Sequence, residues 1–246
     1  MKDFLIDIVS HTLPLGVLDL IKVTGDDKST VLDSISTDQQ NNNVIFKATF
    51  NTPNPAFAGV FGMPNISKLH TILNIPEYKE NADITIKQKT KDNVSVPGSF
   101  HFENGAKDFQ NEYRLMDANL VNSRIPATKF MGANWHVTLE PTVASIMRLK
   151  FQAQSNSDEK YFIAKTENGN LKFYFGNHST HAGNFVFQGG VTGTLSNGWE
   201  WPVAIVQAIL GLDGDKTMKF SDDGMAQIVV DSGLITYEYL IPGHTK

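Results

Sequence analysis

Pro141-Thr142-Val143-Ala144-Ser145-Ile146-Met147-Arg148-Leu149-Lys150-Phe151-Gln152 reads as a helix. Pro202, 61 positions beyond Pro141, opens a second candidate over 202–211. The same 61-position step separates Asp3 from Pro64, where two more candidates begin, over 3–13 and 64–75. Three of the four open on proline, which suits the first helical position because its missing N–H has no intrahelical partner there. Strand-like segments follow each helix, so the chain reads as two copies of one mainly extended unit and points to a symmetric architecture.

The apolar spacing assigns faces to these helices. In the first, Phe4, Leu5, Ile8 and Val9 turn inward, with Asp3, Asp7 and Ser10 on the polar side. In the second, Ile66, Leu69, Ile72 and Leu73 turn inward and Ser67, Lys68, His70 and Thr71 outward. In the third, Val143, Ile146 and Met147 are expected inside, Ser145, Arg148 and Gln152 outside, and Lys150 at the boundary.

Strands are expected at 17–23, 30–36, 44–50, 57–63, 82–89, 94–102 and 112–116 in the first half. The second half adds 134–139, 161–166, 171–175, 185–188, 217–220, 226–230 and 234–241. Asn168-Gly169 is the strongest hairpin signal, and the Asn-rich run 39–43 reads as an exposed hairpin loop. Asn104-Gly105, Asp223-Gly224 and Ser232-Gly233 mark further turns. Residues 117–130 lack clear periodicity, contain Pro126 and read as a connector.

At 246 residues with 41% hydrophobic content the chain can build real cores, as one large domain or two ordinary ones. A net charge of −5 excludes a generally basic protein but not a basic stripe within an acidic whole. The absence of cysteine excludes disulfide frameworks, cysteine–zinc sites and thiol nucleophiles. Asp3, Asp7, Ser10 and His11 interrupt the apolar start, so no signal peptide is read there, and no run approaches the roughly 18 apolar residues of a membrane span. A cytoplasmic protein with no membrane partner is expected. Eighteen lysines against three arginines, with many asparagines, suggest an AT-rich genome such as a phage's.

Signals for chemistry are weak. His178 and His181 have no third ligand in a metal-site pattern, and their polar loop accounts for them. Asp26-Asp27 and Asp222-Asp223 sit beside Lys28 and Gly224 as turn residues. Trp199-Glu200-Trp201 could stack a sugar or base, but its place before an apolar helix favours packing. No phosphate-binding glycine loop, nucleophile elbow or dinucleotide fingerprint is present. No catalytic residue, metal or cofactor is therefore assigned, and a binding or scaffolding protein is expected over an enzyme. Lys2, Lys68, Arg148 and Lys150 project from helical faces opposite the apolar ones. They are either ordinary solvated surface or a surface for DNA.

The order of elements and three stretches resemble the sliding clamps, ring-shaped processivity factors of replicative DNA polymerases. The likeness is nearest to those of tailed phages, related in fold to proliferating cell nuclear antigen. Gly62-Met63-Pro64-Asn65-Ile66-Ser67-Lys68-Leu69-His70-Thr71-Ile72-Leu73 looks like the second helix of a clamp's first domain. Ala144-Ser145-Ile146-Met147-Arg148-Leu149-Lys150 with 161–175 looks like the first helix and hairpin of the second. Gly233-Leu234-Ile235-Thr236-Tyr237-Glu238-Tyr239-Leu240-Ile241-Pro242 is similar to the closing strand and tail.

The resemblance implies an α+β DNA clamp fold of two tandem domains, 1–116 and 131–246, each with two helices packed on antiparallel sheet, joined by a connector at 117–130. Three such chains would close head to tail into a homotrimeric ring around duplex DNA, with helices lining the hole. Contacts would be to phosphates, so the ring could slide. Lys68 and Arg148 match lumen positions best, followed by Lys2 and Lys150. A replicative polymerase and a clamp loader are the implied partners. Their peptide would enter a pocket assigned by resemblance to Leu240, Ile241 and Pro242, with Leu120, Val121 and Ile125 of the connector. Two departures stand out: the helix after Pro202 has no basic residue, and Asp3 and Asp7 lie on the first helix's polar face. Rival expectations are a phage capsid or tail β-sandwich, then a carbohydrate-binding module built on Trp199 and Trp201. A hydrolase ranks last.

Overall fold

The computed structural model describes residues 1–36, 44–91, 93–126, 132–176 and 181–245. They cluster into two units. The first holds 1–36, the described part of 46–126, and 232–237; the second holds 44–45, the described part of 132–231, and 238–245.

The first unit opens with α1 (Lys2–Thr12), which a one-turn 3-10 helix, Leu13–Leu15, brings to a close. Strands β1 (Leu20–Gly25), β2 (Thr30–Ile35), β3 (Ile45–Phe50) and β4 (Gly59–Pro64) follow, then α2 (Ile66–Leu73). Next come β5 (Asp83–Lys91), β6 (Val94–Glu103), β7 (Gln110–Arg114), β8 (Met116–Asp117) and α3 (Ala118–Arg124). One antiparallel sheet runs in the order β8-β4-β1-β2-β3, and residues 235–237 of the last strand continue it. The other is the meander β5-β6-β7. Aromatic rings fill the core: Phe4 stacks on Phe50 at 4.8 Å, and Phe57 meets Phe50 edge-on at 5.1 Å. Each fully buried ring of this size contributes roughly 2–3 kcal/mol of transfer free energy.

The second unit contains β9 (Val137–Leu139), α4 (Val143–Ser155), β10 (Tyr161–Glu167), β11 (Asn170–Phe175), β12 (Gly183–Gly189) and β13 (Glu200–Pro202). It continues with α5 (Val203–Leu210), β14 (Asp215–Ser221), β15 (Met225–Asp231) and β16 (Ile235–Pro242), which contributes residues 238–242 here. Its sheets run β12-β11-β10-β13 and β16-β15-β14-β9. Asn168 and Gly169, both at positive φ (51° and 73°), close the β10–β11 hairpin as a type I′ turn, as their sequence predicts. Phe173 packs against Phe162 and Phe187, each at 4.4 Å, and Trp201 meets Phe220 at 5.2 Å.

Several expectations are corrected. None of the three prolines is a first helical residue. Pro64 ends β4 and Asn65 caps α2, Pro141 precedes the capping Thr142, and Pro202 itself occupies the N-cap of α5. The helices therefore begin at Lys2, Ile66, Val143 and Val203, and the shared 61-position step is only approximate. Within 117–126, expected as irregular connector, Asp117 accepts from Leu120 N–H at 3.2 Å and caps the seven-residue α3. The strand expected at 57–63 starts later, because 55–57 is a 3-10 turn capped by Asn54. β13 has no counterpart among the expected strands. The Asn-rich loop 39–43 and His178 lie outside the described residues.

The third helix is rotated from its expected setting. Ser145, Leu149 and Ala153 are its buried residues, whereas Val143 and Met147, expected inside, are exposed. Small side chains at 145 and 153 let the helix sit close on its sheet, and Gln152 lies against Gly183 of β12.

Candidate nucleic-acid interface

In each unit the two main helices pack beside one another, α1 with α2 and α4 with α5. A DNA-facing surface built from helices requires that adjacency within each copy. The cations on these helices differ sharply in what they can do.

α2 is set by Asn65, which adopts a left-handed backbone (φ 56°) and accepts the Lys68 N–H at 3.0 Å through its side chain. Ile66, Leu69, Ile72 and Leu73 are buried as expected, which leaves Lys68 on the exposed face. On α1, Lys2 is committed elsewhere. Its ammonium donates to the carbonyls of Tyr78 at 2.5 Å and Lys79 at 2.7 Å, closing the end of a 3-10 turn over 76–78. Asp7 is not a surface acid either. Its Oδ2 accepts from Ser232 Oγ at 2.8 Å and from the Tyr237 phenol at 2.7 Å. The expected acidic weakening of the first helix thus comes from Asp3, which is exposed.

α4 starts at Thr142, whose hydroxyl accepts the Ser145 N–H at 3.1 Å. The Arg148 guanidinium lies over the Phe185 ring of β12, 5.5 Å from its centroid, a cation–π contact at the edge of the sheet. Lys150 is exposed and lines a groove of about 720 Å³ between α4 and α5, shared with Lys160, Gln154 and Gln207. Sequence reasoning missed Lys160, since it lies after the helix and has no periodic signal. α5 buries Val203, Ile205, Val206, Ile209 and Leu210 and carries no cation.

The residues assigned to a partner-peptide pocket are mostly interior. Val121, Ile125, Leu240 and Ile241 are buried, because α3 and β16 turn their apolar sides into packed layers. Leu120 is 45% exposed and Pro242 is partly exposed. A shallow apolar groove of about 190 Å³ lies by the start of α3, lined by Val60, Val94, Val96 and Pro97.

The remaining motifs resolve as structure. Asp26 accepts two backbone N–H groups, from Lys28 at 2.8 Å and Ser29 at 2.7 Å, and these bonds, Lys28's first, hold its carboxyl below the usual range. Asp222 accepts from the N–H groups of Ser196 and Asn197 at 2.9 and 2.8 Å, while its carbonyl takes the Trp199 indole N–H at 2.8 Å. Trp199 packs its ring against Gly224 and Trp201 is fully buried, so the two indoles form no exposed stacking platform. Among the described residues no group of three His, Asp or Glu could hold a metal ion, and no helix is long and apolar enough to cross a membrane. His181 is exposed.

No protein-family profile and no curated protein matches the chain by sequence. Solved structures match it over its full length. A. fulgidus PCNA, in a complex with the C-terminal region of FEN-1, matches 100% of this chain and 97% of its own, with a TM-score of 0.66 at 10% identity. PCNA from Thermococcus kodakaraensis matches 99% of this chain and 97% of its own, with a TM-score of 0.65 at 11% identity. The chain has the DNA clamp fold, an α+β arrangement of helices on antiparallel sheets, and the expectation of a capsid-type sandwich is set aside.

Proposed function

We propose that this protein is a sliding clamp, three copies of which close into a ring around duplex DNA and tether a replicative polymerase. The observation that carries this reading is the clamp fold over the whole chain, with paired helices in each unit. It has no chemical step: the ring holds by topology and slides because its contacts are to phosphates. Lys68 and Lys150 are the DNA-facing cations of this reading, because Lys2 and Arg148 are engaged within their own units. A polymerase or loader peptide would meet Leu120 and Pro242. The protein would act in the cytoplasm, where replicating DNA lies, and its lysine- and asparagine-rich composition fits a tailed-phage source.

Sheet edges support the ring. Among the described residues β7 and β12 each have a neighbour on one side only, and each lies beside a helix, α2 and α4 respectively. Pairing β7 of one copy with β12 of the next is a heterologous contact, which closes when the rotation allows. The test is light scattering over a range of concentrations, followed by primer extension with a replicative polymerase. A mass three times 27.2 kDa and longer products per binding event are expected. A strict monomer at high concentration, with no gain in product length, would overturn the reading.

A further inference from the structure

On the side turned away from its own core, α4 carries an uncovered apolar stripe. Val143, Met147 and Phe151 recur at every fourth position and are 79%, 41% and 60% exposed. Spacing of 3.6 residues per turn puts them on one line, opposite the buried Ser145, Leu149 and Ala153. α4 contains no aspartate or glutamate. Arg148 follows Met147 and Lys150 precedes Phe151, so the two cations border the stripe on opposite sides. Lys150 also lines the groove between α4 and α5, together with Glu159 and Lys160.

Contiguous exposed apolar side chains on a folded unit mark an interaction surface. We propose that this stripe and the adjoining groove dock an acidic amphipathic segment of a partner protein. Its apolar side chains would cover Val143, Met147 and Phe151, and its carboxylates would meet Lys150 and Lys160. Charge decides the occupant. A second copy pairing through the same helix would set the cations of one α4 against those of another helix without acids, leaving Glu159 of the groove as the one carboxylate beside them. A phosphodiester backbone would satisfy the lysines but leave Phe151 and Val143 in water. Recognition is of the helix-in-groove kind, with apolar anchors at helical spacing and acidic groups at the rim. The proposal goes beyond the clamp reading and shares Lys150 with it, so on this face the acidic segment would compete with duplex DNA.

The test uses the full chain and a fluorescein-labelled 18-residue peptide. It carries leucine and phenylalanine at i, i+3, i+4 and i+7 spacing and glutamate at most other positions; a control has lysine for every glutamate. Anisotropy should show binding of the acidic peptide only. Phe151→Ser and Lys150→Glu should each weaken it at least tenfold, and Lys68→Glu less than twofold, with circular dichroism unchanged. Failure of the acidic peptide to bind, or equal binding of the lysine peptide, overturns the proposal. So does a fall in solution mass on Phe151→Ser, which would assign the stripe to a second copy. Equal loss of duplex-DNA affinity in Phe151→Ser and Lys150→Glu would assign it to DNA instead. Trimer mass and polymerase processivity, read separately, report on the clamp reading.

Discussion

The phenol of Tyr237 donates to Asp7 Oδ2 at 2.7 Å, joining two residues 230 positions apart within the first unit. Ser232 Oγ donates to the same oxygen, and the His11 ring stacks on Tyr237 at 4.3 Å. This cluster fastens α1 to the start of β16. Tyr237→Phe removes a buried donor to a carboxylate and should lower unfolding free energy by about 1.5–3 kcal/mol. Ser232→Ala, at a partly exposed position, should cost less. Urea titration of both single variants and the double variant separates the coupled contributions.

Acid should loosen the β5-β6-β7 sheet. Burial raises the Glu112 carboxyl, but hydrogen bonds from Lys87, Ser99 and His101 outweigh it and bring the pKa from 4.5 down to about 2. A carboxyl whose folded pKa is depressed stabilises the fold above its unfolded pKa, and that contribution is lost as pH falls through the folded value. The loss should therefore run from about pH 4.5 to pH 2. Glu112→Gln should be less stable than the parent at pH 7 and show a flatter acid limb when unfolding is followed against pH.

Trp199 leaves no room for a side chain at residue 224. Gly224 has φ +87°, and a Cβ there would come within 2.8 Å of the indole ring. Gly224→Ala should cost about 2–4 kcal/mol, combining backbone strain with displacement of the ring. Thermal unfolding measures the loss, and a shift in tryptophan emission should accompany it.

The two sides of α4 should respond oppositely to truncation. Leu149→Ala empties a fully buried site and should cost about 2–4 kcal/mol. Val143→Ser, at a position 79% exposed, should change stability by less than ~0.5 kcal/mol. Equal costs would restore the helix setting expected from the sequence.

If the clamp reading holds, the salt dependence of DNA binding should separate the lysines. Lys68→Gln and Lys150→Gln should each reduce the slope of log K against log salt by roughly 1 for each phosphate left without its cation. Lys2→Gln should leave that slope unchanged and instead lower stability, since its ammonium serves the carbonyls of Tyr78 and Lys79. Affinity measured from about 50 to 200 mM salt distinguishes the two.

The strands and α2 were legible because their apolar residues are regularly spaced and their turns carry strong local signals, as at Asn168-Gly169. α4 was not. Its apolar residues at 143, 146, 147, 149 and 151 are spread around the helix, so spacing alone could not choose the side that Ser145 and Ala153 make close-fitting. α3 is only seven residues long, too short for a periodic pattern, and its one marker is the capping Asp117. The candidate interface was legible only as a set of cations. What Lys2 does depends on carbonyls 76 and 77 positions away, which no local pattern encodes.

β16 gives residues 235–237 to the first unit and 238–242 to the second. On the ribosome, therefore, the first unit cannot be completed when its own main stretch emerges. Until Ser232 and Tyr237 have been synthesised, Asp7 has only His11 of its own helix as a partner, so the first unit stays unfinished while the main stretch of the second is being made. Completion of the first unit therefore follows synthesis of the second unit's main stretch, although most of its own residues are made earlier.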